Sequence, residues 1–285
     1  MTVTPDQGFM GIAAATLIAA AAYRYRWLTL DGALSAAVMG SLIFAIGGMV
    51  FAAPLVVFFA SSSALTRLSD RYKTPIARSM SKSGPRNARQ VLANGGVGCL
   101  LAMRAAMSGS GSSLSARDWL LLYLTTLAFA NADTWATEIG ILSRQEPRLV
   151  TTMKRIPAGS SGGITIAGTI AALIGAVLIP ISAAVVWPIR SVDLLWRIDA
   201  AEILAVGWAG WIACFVDSIL GATIQRQYHC TKCERTTDLP MHCGTAAPPI
   251  EGRRWISNDG VNGIASITSI LIAWFLLKSF AWPIR

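Results

Sequence analysis

The chain is poor in charged residues. Only 14% of its 285 residues are Asp, Glu, Lys or Arg, whereas 54% are hydrophobic and the mean hydropathy is +0.53. Soluble domains carry roughly 25% charged residues, so this composition excludes an ordinary soluble domain and indicates a membrane protein. Cysteine is also scarce, with five in the whole chain, which excludes a disulfide-stapled scaffold.

Several catalytic signatures are missing as well. The chain has no Gly-x-x-x-x-Gly-Lys-Ser/Thr, His-Arg-Asp or Asp-Phe-Gly motif, so no soluble kinase fold is implied. Its two histidines, His229 and His242, both lie in one cysteine-containing segment. A Ser-His-Asp hydrolase is therefore implausible, because it needs a histidine beside a nucleophilic serine.

Long apolar windows predict an all-α, polytopic membrane protein with about eight transmembrane helices in a single domain over residues 1–285. The windows lie near residues 8–23, 32–47, 50–66, 91–108, 118–141, 162–187, 200–224 and 260–281. Only Gly47 and Gly48 separate the second window from the third, so these two are separate spans or one broken hairpin. The first window lacks a preceding Lys or Arg, which argues against a cleaved signal peptide.

The net charge of +9 is explained mainly by membrane topology. Most of the 24 Lys and Arg residues fall in the odd-numbered connections between the windows. The positive-inside rule then places these connections in the cytoplasm and both termini on the other side. The cytoplasmic connections include a basic loop over residues 67–90 and a Cys/His loop over residues 226–256, and no nucleic-acid partner is predicted.

Polar residues interrupt the apolar windows at the predicted cytoplasmic ends. Ionisable groups at membrane depth are costly, so they are candidates for a functional site. In residues 131–140, Asp133 and Glu138 are separated by roughly 140° on an ideal helix. Asp133 is therefore predicted to bind a divalent cation. Glu138 is a further candidate for binding the cofactor, although it points elsewhere unless the helix is irregular. The alternative is a helix end with solvated polar residues.

A polar stripe marks the start of the fourth window. Gly84-Pro85 predicts a helix that begins with Pro85 in its first turn. The stripe stands at i, i+4 and i+8 on one helix face, with two neighbours beside it: Arg86, Gln90 and Asn94, with Asn87 and Arg89. Guanidinium groups grip phosphate in a bidentate manner, so this segment is predicted to bind phosphate. The alternative is a solvated loop on the anionic face of the membrane.

A glycine-rich turn precedes the sixth window. It consists of Gly159, Ser160, Ser161, Gly162 and Gly163. Glycines let a backbone approach an anion, and a helix N-terminus offers free N–H groups, so the turn is a second candidate phosphate site. The alternative is a flexible loop capped by serine.

Two further aspartates lie near the predicted cytoplasmic boundary. Asp217 lies near the end of the seventh window, and Asp259, at the start of the eighth, can share one helix face with Asn258 and Asn262. An Asn-Asp-Gly turn with Ser257 as cap is the alternative for the latter group, but it leaves Asn262 unexplained.

A faint internal repeat is a further hypothesis. Asp217-Ser218 followed by Gly221 resembles Asp133-Thr134 followed by Gly140, and each follows a helix that opens with a glycine pair. Membrane proteins often build sites from such repeated helical hairpins.

The Cys/His loop has the character of a zinc site. Cys230 and Cys233 form a Cys-x-x-Cys knuckle, and His242-Cys243 follows nine residues later. The three cysteines with His242 or His229 would supply four ligands, and the zinc would stiffen a loop beside the site. The alternatives are a thiol pair without metal and the remnant of a lost site.

Together, Asp133, Asp217 and Asp259 with arginines and a glycine-rich helix start suit phosphoryl or nucleotidyl transfer, with Mg²⁺ held by carboxylates. At these residues the chain resembles a known family. The motifs are Asn-Ala-Asp-Thr-Trp-Ala-Thr-Glu-Ile-Gly, Arg-Asn-Ala-Arg-Gln-Val, Gly-Ser-Ser-Gly-Gly-Ile-Thr, Asp-Ser-Ile-Leu-Gly-Ala and Ser-Asn-Asp-Gly-Val-Asn. They are similar to those of multi-span membrane proteins that include the plant phytyl-phosphate kinase of vitamin E synthesis.

The resemblance implies an enzyme that converts an isoprenyl monophosphate to the diphosphate with a Mg-nucleoside triphosphate, CTP being favoured. Combined with the residue types, it gives the hypothesis that Asp133, Asp217 and Asp259 hold Mg²⁺ while Arg86, Arg89 and the glycine-rich turn hold phosphates. Three alternatives remain open: a lipid-phosphate cytidylyltransferase, a transporter of an anionic lipid or metabolite, and a scaffold protein with a zinc-stiffened loop.

Overall fold

The computed structural model describes residues 5–73, 84–108, 113–186 and 198–280, which contain seven helices. The helices are α1 (Pro5–Arg24), α2 (Leu30–Tyr72), α3 (Ala88–Ala106), α4 (Ala116–Gly140), α5 (Ile166–Val186), α6 (Ala200–Thr223) and α7 (Asn258–Phe280). Within these residues, α2, α5, α6 and α7 are long and apolar enough to cross a membrane by length and composition. The predicted helical membrane fold is confirmed.

Helix α2 doubles back on itself. A straight helix of its 43 residues would extend about 64 Å. Yet Arg67, near its end, stacks 5.6 Å from the ring of Trp27, which precedes its start. At the far end of α1, Gln7 donates to the carbonyl of Phe44 at 3.2 Å. The reversal falls at Gly48, whose φ of 61° suits glycine. The second and third predicted windows are therefore a hairpin.

Helix α4 is the centre of the bundle. Every residue from Leu120 to Ala132 is buried, and the helix packs against α2, α3, α5, α6 and α7. Small residues let its neighbours approach closely. A Cβ at Gly210 of α6 would lie 2.8 Å from the Cβ of Ala128, so the backbones of α4 and α6 are in direct contact. Protein therefore surrounds α4, while side chains such as Ile174 and Phe275 are exposed on the outside of the bundle.

The internal repeat stays a hypothesis, because the order of the helices agrees with it but the positions of the glycine pairs do not. Helices α3–α4 and α5–α6 are successive pairs, and the second helix of each carries an aspartate near its end, Asp133 or Asp217. The glycine pairs differ, because Gly95–Gly96 lies inside α3 whereas Gly162–Gly163 precedes α5. The two pairs are therefore not equivalent positions.

Seven short strands, which helical periodicity did not predict, lie in the connections at the end of the bundle where α4 and α6 finish. They are β1 (Arg148–Leu149), β2 (Gly163–Ile164), β3 (Gln227–Cys230), β4 (Arg235–Thr237), β5 (Met241–His242), β6 (Thr245–Ala246) and β7 (Pro249–Glu251). Strand β1 pairs with β2, β5 pairs with β6, and a three-stranded sheet has the order β4-β3-β7, all antiparallel. The Cys/His loop is thus a small β unit on the helical bundle.

The start of α3 differs from the prediction. The helix begins at Ala88, after Pro85, because Asn87 forms a capping box with Gln90 and so satisfies the first free N–H groups. Arg86 is instead extended, and its N–H donates to the carbonyl of Trp27 at 2.9 Å. The prediction that Pro85 lies in the first helical turn is therefore wrong.

The basic loop is shorter than residues 67–90. Helix α2 remains helical through Tyr72, and α3 already includes residues 88–90. The predicted loop residues 74–83, with Arg78 and Lys82, lie outside the described residues.

Candidate functional site

A cavity of about 300 Å³ opens where α4 and α6 end and α3, α5 and α7 begin. It brings together most of the residues predicted to form the site: Arg86, Asn94, Asp133, Glu138, Gly159, Ser160, Ser161, Gly162, Gly163, Asp217, Asn258, Asp259 and Asn262. Two predicted residues do not line it. Asn87 caps α3 with its side chain, and Arg89 is exposed although it is adjacent to the lining residue Gln90.

Arg86 is a basic residue that the sequence predicted for this site, and it lines the cavity. Its backbone is fixed by the connection between α1 and α2. The N–H of Thr29 donates to the Arg86 carbonyl at 3.1 Å. Burial lowers the pKa of the Arg86 guanidinium, while the negative charges of Glu138 and Asp133 raise it. The guanidinium therefore lies within electrostatic range of the acidic wall of the cavity, where it can offset the charge of a bound phosphate.

Asp217 belongs to a cluster of polar side chains from three helices. Asn262 of α7, with its amide nitrogen facing α6, donates to Asp217 Oδ1 at 3.0 Å and to the Asn258 carbonyl at 3.2 Å. Its other amide atom lies 3.3 Å from Asn94 Oδ1 of α3. These contacts explain why Asn262 lies one turn inside α7: it orients the Asp217 carboxylate. The predicted Ser257 cap is also present, since Ser257 Oγ accepts from the Gly260 N–H at 3.3 Å.

The glycine-rich turn packs against the end of α6. Gly162 has φ of +76°, and a Cβ there would lie 2.5 Å from the Cβ of Ala222 and 2.8 Å from the Ser218 carbonyl oxygen. Only glycine fits this backbone position and this close approach. The turn therefore lies beside the segment that carries Asp217.

The sequence predicted that the glycine-rich turn forms the first turn of α5. That prediction is wrong. Gly163 starts strand β2, and α5 begins at Ile166, with Thr165 Oγ1 accepting from the Gly168 N–H at 3.0 Å. The strand pairing with β1 uses backbone groups that would otherwise begin a helix. Thr165 and Gly168 nevertheless line the cavity, so the turn and the α5 N-terminus form one wall.

Asn131 positions the part of α4 that carries Asp133. Its side chain is fully buried; Oδ1 accepts from Ser61 and Ser62 at 3.0 and 2.9 Å, and Nδ2 donates to the Gly175 carbonyl at 2.8 Å. One amide thus ties α4 to α2 and α5. Asn131 belongs to the polar stretch that the sequence singled out, but its role is to fix the helix rather than to face the cavity.

Glu138 is held by an ion pair that sequence reasoning missed. Its carboxylate lies 2.7 Å from Lys73 Nζ and accepts a hydrogen bond from Ser69, and Lys73 also contacts Asp70 at 2.8 Å. Lys73 is 5% exposed and Glu138 is 8% exposed. Glu138 lines the cavity, but its carboxylate is engaged by α2. Glu138 was predicted to point away from the site that Asp133 faces, but both residues line the cavity. The assignment of Glu138 as a cofactor-binding residue stays a prediction.

The predicted zinc ligands of the Cys/His loop come together. One ligand atom each from Cys230, Cys233, His242 and Cys243 lie within 4.8 Å of one another, and His242 Nδ1 is 3.6 Å from Cys233 Sγ and 3.3 Å from Cys243 Sγ. His242, rather than His229, completes the group. Hydrogen bonding with His242 lowers the pKa of the Cys230 thiol to about 6. We call these four residues the Cys/His cluster.

The Cys/His loop also reaches the cavity. Strand β4 pairs with β3, which carries Cys230, and places Thr236, Thr237 and Asp238 in the cavity wall. The sequence offered no signal for this, because these residues are ordinary loop residues in composition. A rigid cluster in the loop would therefore stabilise one side of the site.

These features define an integral membrane protein of the helical class with a polar, carboxylate-rich cavity at one end of its bundle. Within this class, the chain can be assigned to a particular sequence family. The chain belongs to the integral membrane protein family DUF92, whose sequence model matches residues 13–270.

Relatives occur in plants and archaea. Protein PGR of Arabidopsis thaliana is 30% identical over 92% of this chain and 91% of its own length. An uncharacterised membrane protein of Methanocaldococcus jannaschii is 29% identical over 77% of this chain and 84% of its own. Protein VTE6, chloroplastic, of Arabidopsis thaliana is 24% identical over 89% of this chain and 67% of its own. No solved structure matches the chain.

Proposed function

We propose that the protein is a prenyl-phosphate kinase, which transfers the γ-phosphoryl group of a Mg-nucleoside triphosphate to an isoprenyl monophosphate. The observation that carries this proposal is that Asp133, Asp217 and Asp259 line the same cavity as Arg86 and the glycine-rich turn. Carboxylates for Mg²⁺, a guanidinium and backbone N–H groups for phosphate are the parts that phosphoryl transfer uses.

The cavity lining offers ligands of the kind that magnesium takes. Mg²⁺ prefers oxygen ligands and is usually bound by one or two carboxylates, water and substrate phosphates. Asp133, Asp217 and Asp259 offer such oxygens, and Asn262 holds the Asp217 carboxylate in place. When bound, the ion would neutralise the charge that develops on the transferred phosphoryl group.

The protein's own residues would position the acceptor and the nucleotide. Arg86 would hold the acceptor phosphate, and the Gly159–Gly163 turn with the α5 N-terminus would hold the nucleotide phosphates. An oxygen of the acceptor forms a bond to the γ-phosphorus as the bond from this phosphorus to the β–γ bridging oxygen breaks. The products are a prenyl diphosphate and a nucleoside diphosphate. Because the acceptor is already ionised, positioning and charge neutralisation suffice.

The substrate class rests on the resemblance described above. The matched motifs are those of the family that includes the plant phytyl-phosphate kinase, and Protein VTE6 is among the relatives. Phytyl, farnesyl and geranylgeranyl phosphates are therefore the acceptors that we propose, with CTP as the favoured donor.

A structural zinc ion is a further part of the proposal. The Cys/His cluster supplies three sulfurs and one nitrogen, which is a common donor set of structural zinc sites. Zinc would fix β3 relative to β5 and thereby hold Thr236–Asp238 in the cavity wall.

We also propose that the cavity faces the cytoplasm and that both termini lie on the other side. The basic connections and the cavity share one end of the bundle, as the positive-inside rule requires. Labelling of an introduced cysteine at the exposed Glu146 by an impermeant thiol reagent should occur only after the cells are opened. Labelling in intact cells would reverse this orientation.

The test is one incubation of purified protein with Mg²⁺, each prenyl monophosphate and each nucleoside triphosphate, read by mass spectrometry. We expect prenyl diphosphate with wild-type protein and with Asp6→Asn, an exposed carboxylate at the far end of α1, but not with Asp133→Asn. Release of pyrophosphate with a nucleotidylated lipid would indicate cytidylyl transfer. Flux across liposomes without nucleotide consumption would indicate a transporter.

A further inference from the structure

A second, apolar cavity of about 410 Å³ lies between α1, both halves of α2 and α3. Small and flexible side chains make room for it. The residues that define its walls are Ala15, Met39, Gly40, Phe44, Ala53 and Phe58. Met39, Phe44 and Phe58 are buried, so the space penetrates between the helices and is not a shallow feature of the outer surface. We call it the apolar groove.

The apolar groove and the polar cavity share one wall. Arg86, Gln90 and Asn94 line both of them. The groove therefore ends at a guanidinium and two amides, and its remaining lining is almost wholly apolar. A ligand that fills both spaces needs an anionic head group and a hydrocarbon tail, because each part then meets matching chemistry.

We propose that the apolar groove binds the hydrocarbon chain of a prenyl monophosphate whose phosphate lies at Arg86. This inference rests on the proposed function and names the acceptor's binding site within it. The volume favours one chain over two: at roughly 30 Å³ for each water-sized group, about 410 Å³ holds about 14 such groups, close to the size of a farnesyl chain. The two acyl chains of a phospholipid need at least twice that space.

Phe44 lines the groove near the reversal of α2, at the end away from Arg86, as does Met49. A Cβ at Gly11 of α1 would lie 2.7 Å from Phe44 Cδ1, so the ring is packed tightly against α1. Partway along the groove, Met39 packs against Gly95 of α3, where a Cβ would lie 2.5 Å from its terminal carbon. Phe44 is therefore the residue that limits the length of chain the groove accepts, and flexible Met39 is able to adapt to it.

The test measures binding without nucleotide. Full-length protein in detergent is irradiated with farnesyl monophosphate that carries a diazirine at the end of its chain, and the labelled peptides are identified by mass spectrometry. We expect labels near Met39, Phe44 and Ala53, and competition by unlabelled farnesyl phosphate. Labels on outward-facing residues such as Leu34 or Val38, or equal competition by diacyl phosphatidic acid, would overturn the proposal.

Substitutions within α2 provide the matched control. Ala53→Phe should reduce labelling roughly tenfold, because the larger side chain fills the groove. Ala60→Phe makes the same change at an exposed position of the same helix that does not line the groove, and it should leave labelling unchanged. Thermal unfolding of both variants shows whether they are folded. If both are folded and label equally, the groove is not the binding site.

Chain-length preference gives a second, independent measurement. Phe44→Ala opens the end of the groove and should raise labelling by a geranylgeranyl probe relative to the farnesyl probe. The proposed function fails separately: if labels map to the groove but no diphosphate forms, the site binds the amphiphile and the kinase assignment is wrong. If diphosphate forms but the labels lie elsewhere, only the groove assignment is wrong.

Discussion

Replacing Glu138 by Gln tests whether the carboxylate of this residue has a structural role or a catalytic one. The change leaves Lys73 buried without its partner at 2.7 Å, although Asp70 remains at 2.8 Å. Removing one member of a buried ion pair costs about 3–5 kcal/mol. Because Asp70 still compensates part of the charge, we expect a loss near 3 kcal/mol. At about 2–4 °C per kcal/mol, the melting temperature should fall by roughly 6–12 °C.

The assay compares thermal unfolding with prenyl-phosphate kinase activity at a temperature well below the melting point. Glu138→Gln should lower the melting temperature and keep most activity in the folded protein. Asp133→Asn should show the opposite pattern, with a melting temperature close to that of the wild type and activity lost. The two carboxylates are thus predicted to give unequal losses of different kinds.

The double variant Lys73→Met with Glu138→Gln serves as the control. It removes both charges, so it should be less destabilised than the sum of the two single variants, with a coupling of about 1–3 kcal/mol. If Glu138→Gln abolishes activity without lowering the melting temperature, Glu138 contacts the substrate or the ion and our interpretation of its ion pair is wrong.

Three further predictions concern other parts of the molecule. Arg117→Ala should destabilise the protein by about 3–5 kcal/mol, because Glu202 stays buried after it loses a bidentate ion pair at 2.5 Å. Replacing both residues by apolar ones should recover much of this loss, as measured by thermal unfolding. Gly162→Ala should lower the melting temperature and raise the KM for nucleotide, since its Cβ would overlap Ala222; an unchanged KM would remove the turn from the nucleotide site. Purified protein should contain one zinc per chain by mass spectrometry. Zinc ligands must be deprotonated, so acid should release the metal, and the depressed pKa of the metal-free Cys230 thiol, about 6, favours binding at neutral pH. Protein purified without chelators that contains no zinc would contradict this assignment.

Much of the site was predictable from residue type and position. Asp133, Asp217 and Asp259 were predictable because carboxylates are rare in apolar windows, and helix direction alone places their ends on one side of the bundle. These inferences need only local sequence and the alternation of spans across a membrane.

What sequence could not supply were contacts between distant segments. Lys73 looked like one more solvated cation of a basic loop, because nothing local reveals that α2 extends to it and packs against Glu138. Asn87 and Arg89 were assigned to phosphate from their neighbours, whereas the local competition for helix capping sends Asn87 to the backbone. The strand at Gly163 depends on pairing with residues 148–149, which helical periodicity cannot show.

The central claim is tested most directly by the stoichiometry of the reaction products. Purified protein, a prenyl monophosphate, Mg²⁺ and CTP should yield prenyl diphosphate and nucleoside diphosphate in equal amounts, and Asp133→Asn should yield neither. The assignment of a phosphoryl-transfer site to this cavity would be contradicted if the variant formed both products as well as the wild-type protein does. It would also be contradicted if the wild-type protein formed no prenyl diphosphate from any combination of acceptor and nucleotide.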